Sequence, residues 1–76
     1  MSPSLPSLKP KEVLKALQGA GFYIHHQTGS HIVLKHPSDP RRRIVIPYHT
    51  KDLKRGTLHG IIKQSGLSIE DFLKLL

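Results

Sequence analysis

The chain has 76 residues and carries 12 lysines and arginines against 5 aspartates and glutamates, a formal net charge of +7. This length predicts one domain, and because so small a domain buries only about 60% of its unfolded surface, a deep enclosed active site is not expected. The positive charge is typical of proteins that bind polyanions, nucleic acid before anionic membrane. Cysteine is absent, which excludes disulfides and thiolate metal sites.

The N-terminal segment differs in composition from the rest of the chain. Residues 1–7 are rich in proline and serine, and we expect them to be flexible ahead of a single domain at residues 8–76. They lack the charged head and apolar core of a secretory signal, so we expect a cytoplasmic protein.

The first regular element predicted is a helix. Pro10 suits an early helical position, and Val13, Leu14 and Leu17 form an apolar stripe. Residues 19–21 include two glycines, which predicts the end of the helix with one glycine as a left-handed cap.

Three strands and two helices are predicted to follow. Alternating apolar residues predict strands at 22–25, 31–36 and 43–47. Thr57 and Ser68 are the expected N-caps of the second and third helices. The order predicts an α+β fold, a three-stranded antiparallel sheet with helices on one face, with the topology of double-stranded-RNA-binding domains.

The pairing of the first two strands is predicted from the apolar pattern. Keeping the apolar residues together pairs Ile24 with Ile32 and places His25 opposite His31. Gly29 is expected to supply the positive φ of a five-residue loop. The opposite, solvent-facing side of the sheet should then carry Tyr23, His25, His31, Val33, Lys35, Arg43 and Val45.

His31 is the candidate for chemistry because it is an imidazole expected at a strand end beside a turn. RNA scission needs a base for the 2′-hydroxyl proton and an acid for the leaving 5′ oxygen, and an imidazole with its ordinary pKa of about 6.5 can serve as either. The alternative is that His31 is only a polar residue on a solvated surface. Two interpretations are also open for His25, which is either an accessory acid or simply an exposed side chain.

Basic residues are the candidates for RNA binding. Cations near the predicted site would contact phosphates, and the start of the second helix would add backbone donors. Tyr23 and Tyr48 could each stack on a base, and the alternative for both is that they only pack against the sheet. The alternative for the cations is solubilising charge. The predicted RNA-binding residues are Tyr23, His25, Lys35, Arg41, Arg42, Arg43, Lys51, Lys54 and Thr57. No metal site is predicted, because the histidines lack the spacing and partners of common zinc sites.

Short motifs in a fixed order resemble one protein family, the HicA-type (YcfA-like) toxins of bacterial toxin–antitoxin modules. The resemblance covers about residues 8–76 and includes Gly29-Ser30-His31, and its specificity lies in the order and spacing of its short pieces. The other matching pieces are Lys11-Glu12-Val13, Leu17, Gly21-Phe22, His36-Pro37, Val45-Ile46-Pro47, His49, residues 53–58, Ile61-Ile62 and Gly66-Leu67.

The resemblance implies a fold like that of double-stranded-RNA-binding domains and a metal-independent, cofactor-free endoribonuclease that cleaves mRNA. It implies that His31 is catalytic and that a HicB-type antitoxin inhibits the protein. Ser30 is not assumed to be catalytic, because some relatives carry glycine there. The alternative is a non-catalytic RNA-binding module that uses the same basic face. A third interpretation, an inert partner-docking domain, explains the charge poorly.

Overall fold

A computed structural model describes residues 4–76 and has the predicted order of elements. These are α1 (Pro10–Gly19), β1 (Tyr23–Gln27), β2 (His31–His36), β3 (Asp39–Pro47), α2 (Arg55–Ser65) and α3 (Ile69–Leu73). The strands form one antiparallel sheet in the order β1-β2-β3. The predicted α+β fold, with its α-β-β-β-α layout, is confirmed.

One face of the sheet forms the hydrophobic core with the helices. We call it the inner face, and Ile32 and Leu34 of β2 and Ile44 and Ile46 of β3 are at most 1% exposed there. Each such side chain stabilises the fold by about 1.5–3 kcal/mol relative to an exposed one. Their helical partners in the core include Val13, Ala16, Leu17, Leu58, Ile61, Ile62 and Phe72. Within residues 4–76, the structure has no helix long and apolar enough to cross a membrane.

The pairing of β1 with β2 differs from the prediction. Ile24 pairs with Leu34, two residues beyond the predicted partner Ile32, and a β-bulge at His25 then brings Gln27 opposite Ile32. Tyr23 and Ile24 are shifted by two residues, which keeps both on the predicted faces, so apolar alternation could not fix the partner. The bulge then reverses the alternation for His26 and Gln27. Ile24, expected among the apolar residues of the inner face, is 40% exposed.

His36 joins the end of β2 to the end of α1. The backbone N–H of Ser38 donates to His36 Nδ1 (3.2 Å), so the neutral ring carries its proton on Nε2, which lies 3.2 Å from the Ala20 carbonyl and donates to it. The ring also meets Phe22 edge to face, with centroids 4.9 Å apart. Gly21, with φ of 97°, makes the turn beneath this ring and confirms the predicted glycine cap.

Three sequence signals were predicted at the ends of α2 and α3, and two of them are confirmed. Gly66 ends α2 with φ of 77°, and the Ser68 hydroxyl accepts from the Asp71 N–H of α3 (3.0 Å). Thr57 is not an N-cap, because α2 begins two residues earlier and Lys54 occupies the cap position. Lys54 adopts an extended conformation there without a side-chain capping bond, and so gives no capping signal in the sequence.

The N-terminal segment is attached to the core at one residue. Leu5 is 6% exposed and belongs to the core cluster, as do Leu8 and Leu53. The Leu53 N–H donates to the Leu8 carbonyl (2.8 Å), which fixes the chain just before α1. Leu5 is thus buried within a segment whose expected flexibility stays a prediction, and residues 1–3 lie outside the described part of the chain.

Candidate active site

His31 lies exposed at the first position of β2, on the face of the sheet opposite the core. Ile32 and Leu34 point into the core, so His31, Val33 and Lys35 share the other side, which we call the outer face. On β3, His31 pairs with Pro47. The predicted outer-face position of His31 therefore agrees with the structure.

Hydrogen bonds between Thr28 and His31 close a short loop and fix the His31 backbone. The Thr28 N–H donates to the His31 carbonyl (2.9 Å), and the His31 N–H donates to Thr28 Oγ1 (3.1 Å). The loop therefore spans three residues instead of the predicted five. The positive φ expected at Gly29 is wrong: in the described chain, positive φ occurs only at two other glycines. Bonds from Thr28, rather than a left-handed glycine, make this reversal.

The Ser30 hydroxyl oxygen lies 3.0 Å from His31 Nδ1. A hydroxyl can either donate to Nδ1 or accept from it, so Ser30 can stabilise both neutral tautomers of the ring. In either tautomer Nδ1 is engaged, which leaves Nε2 as the nitrogen available to a substrate.

Two rows of side chains continue the outer face away from His31. The nearer row contains His26, Val33 and Val45. The predicted position of His25 opposite His31 is wrong, because His25 is the extra residue of the bulge and His26 takes the place opposite Val33. His26 was not predicted on this face, because the predicted first strand ends at residue 25 and His26 was placed in the loop that follows it.

The second row contains Tyr23, Lys35 and Arg43, as the predicted outer face required. Tyr23 is 44% exposed and Arg43 is exposed, so both are accessible to a ligand. Lys35 is four residues from His31, which is about 13 Å along a strand. This row is therefore a separate part of the surface from the His31 ring.

Arg41 and Arg42 lie at the far end of the sheet from His31. β3 begins at Asp39 rather than at the predicted residue 43, and the pairing register shifts between Lys35 and His36. The Asp39 carboxylate lies 3.7 Å from Arg41 Nε and 3.8 Å from Arg42 Nε. Arg41 has 94% of its side chain exposed and Arg42 37%. The sequence suggested that these arginines lie near the site, but Arg41 and Arg42 lie away from His31 at the other end of the sheet.

The other predicted cations follow β3. Lys51 and Lys54 are exposed, and they come soon after Pro47, the partner of His31. Thr57 is half-buried in the first turn of α2. None of these side chains has a described hydrogen bond or ion pair within residues 4–76, and their role in RNA binding stays a prediction.

A groove of about 380 Å³ opens beside the His31 loop. Its lining comprises Lys9, Lys11, Tyr48, His49 and Thr50. The Tyr48 N–H donates to the Ser30 carbonyl (2.8 Å), so one wall of the groove is bonded to the residue before His31. Sequence analysis did not assign Lys9 or Lys11 to the site, because they precede His31 by a helix and a strand, and local spacing carries no signal for that contact.

Histidines are frequent near the site, but within residues 4–76 no three side chains of His, Cys, Asp or Glu form a group that could hold a metal ion.

Comparison with known families gives one match. The model of the family described as HicA toxin of bacterial toxin–antitoxin matches residues 10–67. The chain belongs to the HicA toxin family. The match includes α1, all three strands and α2, and with them His31 and its loop. A comparison with curated proteins finds no match.

Membership of the HicA toxin family makes this chain a toxin of a toxin–antitoxin module, and such a toxin has an antitoxin partner. The match also agrees with the fold, since both the family resemblance and the structure give a helix, three antiparallel strands and further helices.

Proposed function

We propose that this HicA toxin is a metal-independent endoribonuclease that cleaves mRNA and so blocks translation, with His31 as its general acid or base. The observation that carries the proposal is the His31 imidazole on the open outer face, with Nδ1 held by Ser30 and Nε2 free. Family membership supports it, because the Gly-Ser-His motif lies within the matched residues.

The reaction in this proposal is attack of a ribose 2′ oxygen on the adjacent phosphorus. The 2′ oxygen–phosphorus bond forms, the bond from phosphorus to the 5′ oxygen breaks, and a proton passes from the 2′-hydroxyl to a base while the 5′ oxygen takes one from an acid. With Nδ1 protonated and donating to Ser30, His31 Nε2 can accept the first proton. That transfer leaves an imidazolium, in which Nδ1–H still donates to Ser30 and Nε2–H can give its proton to the leaving 5′ oxygen.

The cations of the outer face would bind RNA around this step. Lys35 and Arg43 are about 13 Å along the strands from the His31 row, which favours flanking phosphates over the reacting one. Tyr23, in the same row, would stack on a base, and Lys51 and Lys54 would contact phosphates on the other side.

The antitoxin is proposed to be of the HicB type and to act by covering the outer face. The site is open, so occlusion is the simplest inhibition, and an acidic partner surface would also neutralise the charge that attracts RNA. Hydrogen–deuterium exchange would then show protection at residues 23–35 and 41–55 on binding, with little change in α1. Protection of α1 with an unprotected sheet would contradict occlusion.

The alternative, a non-catalytic RNA-binding module, uses the same surface without chemistry at His31. The two functions separate in one experiment: purified protein is incubated with RNA in EDTA, beside its His31→Ala form and a His59→Ala control. His59 is an exposed histidine of α2, outside the proposed site.

We expect cleavage in EDTA by the native protein and by His59→Ala, and a loss of roughly 10²-fold or more in His31→Ala, the usual size of a general acid–base contribution. Folding of each variant is checked by circular dichroism. Cleavage by folded His31→Ala at the native rate would contradict the assignment of His31, and RNA binding without cleavage by the native protein would support the alternative.

A further inference from the structure

We propose that the groove between α1 and the segment after β3 binds one nucleotide of single-stranded RNA adjacent to the scissile bond. Lys9 and Lys11 would contact its phosphate, and the Tyr48 ring would pack against its base. The position of this nucleotide next to the cleaved bond rests on the proposed function, but its binding in the groove does not require cleavage.

The location of the groove is the first argument. Tyr48 follows Pro47, the β3 partner of His31, and its N–H donates to the Ser30 carbonyl (2.8 Å). The wall of the groove and the His31 loop are therefore parts of one hydrogen-bonded unit.

The chemistry of the walls is the second argument. The groove surface is mostly apolar, and Lys9, Lys11 and His49 are among the residues that line it. Within residues 4–76, the acidic side chains of the ion pairs are Asp39 and Asp71, so the two lysines keep their charge available. An apolar wall with cations beside it suits a base joined to a phosphate.

The rigidity of Tyr48 is the third argument. Its side chain is half-buried and packs against the hydrophobic core, so its ring is held in place before a ligand arrives. The α1 N-terminus is not what makes the site, because the Glu12 carboxylate already accepts from the Lys9 N–H there (3.0 Å). The volume of about 380 Å³ lies within the usual range of small-ligand sites, about 300–1,000 Å³.

The test measures RNA affinity with the His31→Ala protein, in which the RNA stays intact. Fluorescence anisotropy of a labelled oligouridine compares a Lys9→Ala/Lys11→Ala form with a Lys63→Ala/Lys74→Ala form, which loses the same charge from α2 and beyond α3. We expect about a tenfold loss of affinity and a smaller salt dependence for the groove form, against less than about twofold for the control. Equal losses in both forms would show that only net charge matters, and would overturn the proposal.

A second pair of variants tests the base contact. Tyr48→Phe keeps the ring and should bind RNA within about twofold of the parent, whereas Tyr48→Leu loses the stacking surface and should bind about fivefold or more weakly. Circular dichroism confirms that both are folded, and equal affinity of Phe and Leu forms would overturn the stacking role.

Shortening the RNA tests occupancy. Removing nucleotides one at a time from either end should weaken binding to the parent at one step, and the Lys9→Ala/Lys11→Ala form should be insensitive to that step because both changes remove the same contact. Equal sensitivity at every step would overturn the proposal. If the native protein cleaves RNA but the groove variants bind RNA as tightly as the parent, only the groove proposal is overturned. If the groove variants lose affinity but the native protein does not cleave RNA, only the proposed function is overturned.

Discussion

Ser30 Oγ lies 3.0 Å from His31 Nδ1, between neighbouring residues at the tip of the first hairpin. The contact fixes which ring nitrogen is free, since Nδ1 is engaged and Nε2 is not. The Ser30 carbonyl in turn accepts from the N–H of Tyr48, the residue that follows β3. Ser30 thus bonds both to the imidazole and to the chain that leaves β3, so the direction of Nε2 depends on Ser30.

Replacing Ser30 with Ala removes the hydroxyl and leaves the ring less well oriented. A neutral hydrogen bond contributes about 1 kcal/mol, so we expect cleavage to fall by roughly five- to tenfold, far less than in His31→Ala. RNA affinity should not change. Initial rates on one RNA check this, with the exposed Ser7→Ala as the matched control. A loss as large as that of His31→Ala would instead assign a direct chemical role to Ser30.

Gly21 is required beneath the His36 ring. A Cβ there would lie 2.8 Å from His36 Nε2, and the φ of 97° is unfavourable for any side chain. We expect Gly21→Ala to lower the free energy of unfolding by about 1–3 kcal/mol. Gly19→Ala is the control, because its Cβ meets nothing within 4 Å and it lies in the helix α1, where alanine is favoured. Urea denaturation of both variants measures the difference, and equal midpoints would contradict the assigned role of Gly21.

Leu5 tests whether the N-terminal segment contributes to the fold. Leu5→Ala shortens a side chain that is only 6% exposed, and we expect the free energy of unfolding to fall by about 2–5 kcal/mol. The adjacent exposed Pro6→Ala should change it by about 0.5 kcal/mol or less. Thermal denaturation compares the two, and an unchanged midpoint for Leu5→Ala would mean that the segment is loose at this residue too.

Arg41 and Arg42 should differ although they are neighbours. Arg42 is more buried, and a Cβ added at Gly66, the cap of α2, would overlap its guanidinium, so Arg42 lies against the end of that helix. A cation at a helix C-terminus is stabilising by about 0.3–1 kcal/mol, so Arg42→Ala should lower stability by about that much. Arg41→Ala should leave stability unchanged and weaken RNA binding alike for all sequences, because its guanidinium is open to phosphate.

Denaturation and anisotropy on both single variants check this division. Loss of RNA affinity in Arg42→Ala alone, with unchanged stability in both, would contradict it. Unchanged affinity and salt dependence in Arg41→Ala would show that Arg41 is solvated charge.

The fold was predictable because apolar residues recur every second residue in the strands and about every fourth residue in the helices. Ile32, Leu34, Ile44 and Ile46 face the core as predicted, and Gly66 and Ser68 end and begin helices as predicted. The partner of Ile24 was not predictable, since both candidate registers place Ile24 on the same face, and neither register indicates that it is 40% exposed. The bulge at His25 was also not predictable, because strict alternation cannot detect an extra residue.

The candidate site was predictable at His31 and in its outer-face row, where position follows from alternation. It was not predictable at Lys9 and Lys11, because their meeting with Tyr48 depends on how α1 packs beside the chain that leaves β3. The bond from Ser38 to His36 was missed for a similar reason: a histidine at a strand end looks like a polar surface residue until the turn that donates to it is in place.

The hydrogen bond from Tyr48 to Ser30 offers a spectroscopic reporter of the site. It is made by a backbone amide, so its resonance can be followed in a nitrogen-15 spectrum without altering any side chain at the hairpin tip. Its exchange with solvent slows only while Ser30 stays in place, and so measures how often the tip detaches. A variant that leaves this amide protected but abolishes cleavage has lost chemistry, whereas one that exposes it has lost geometry.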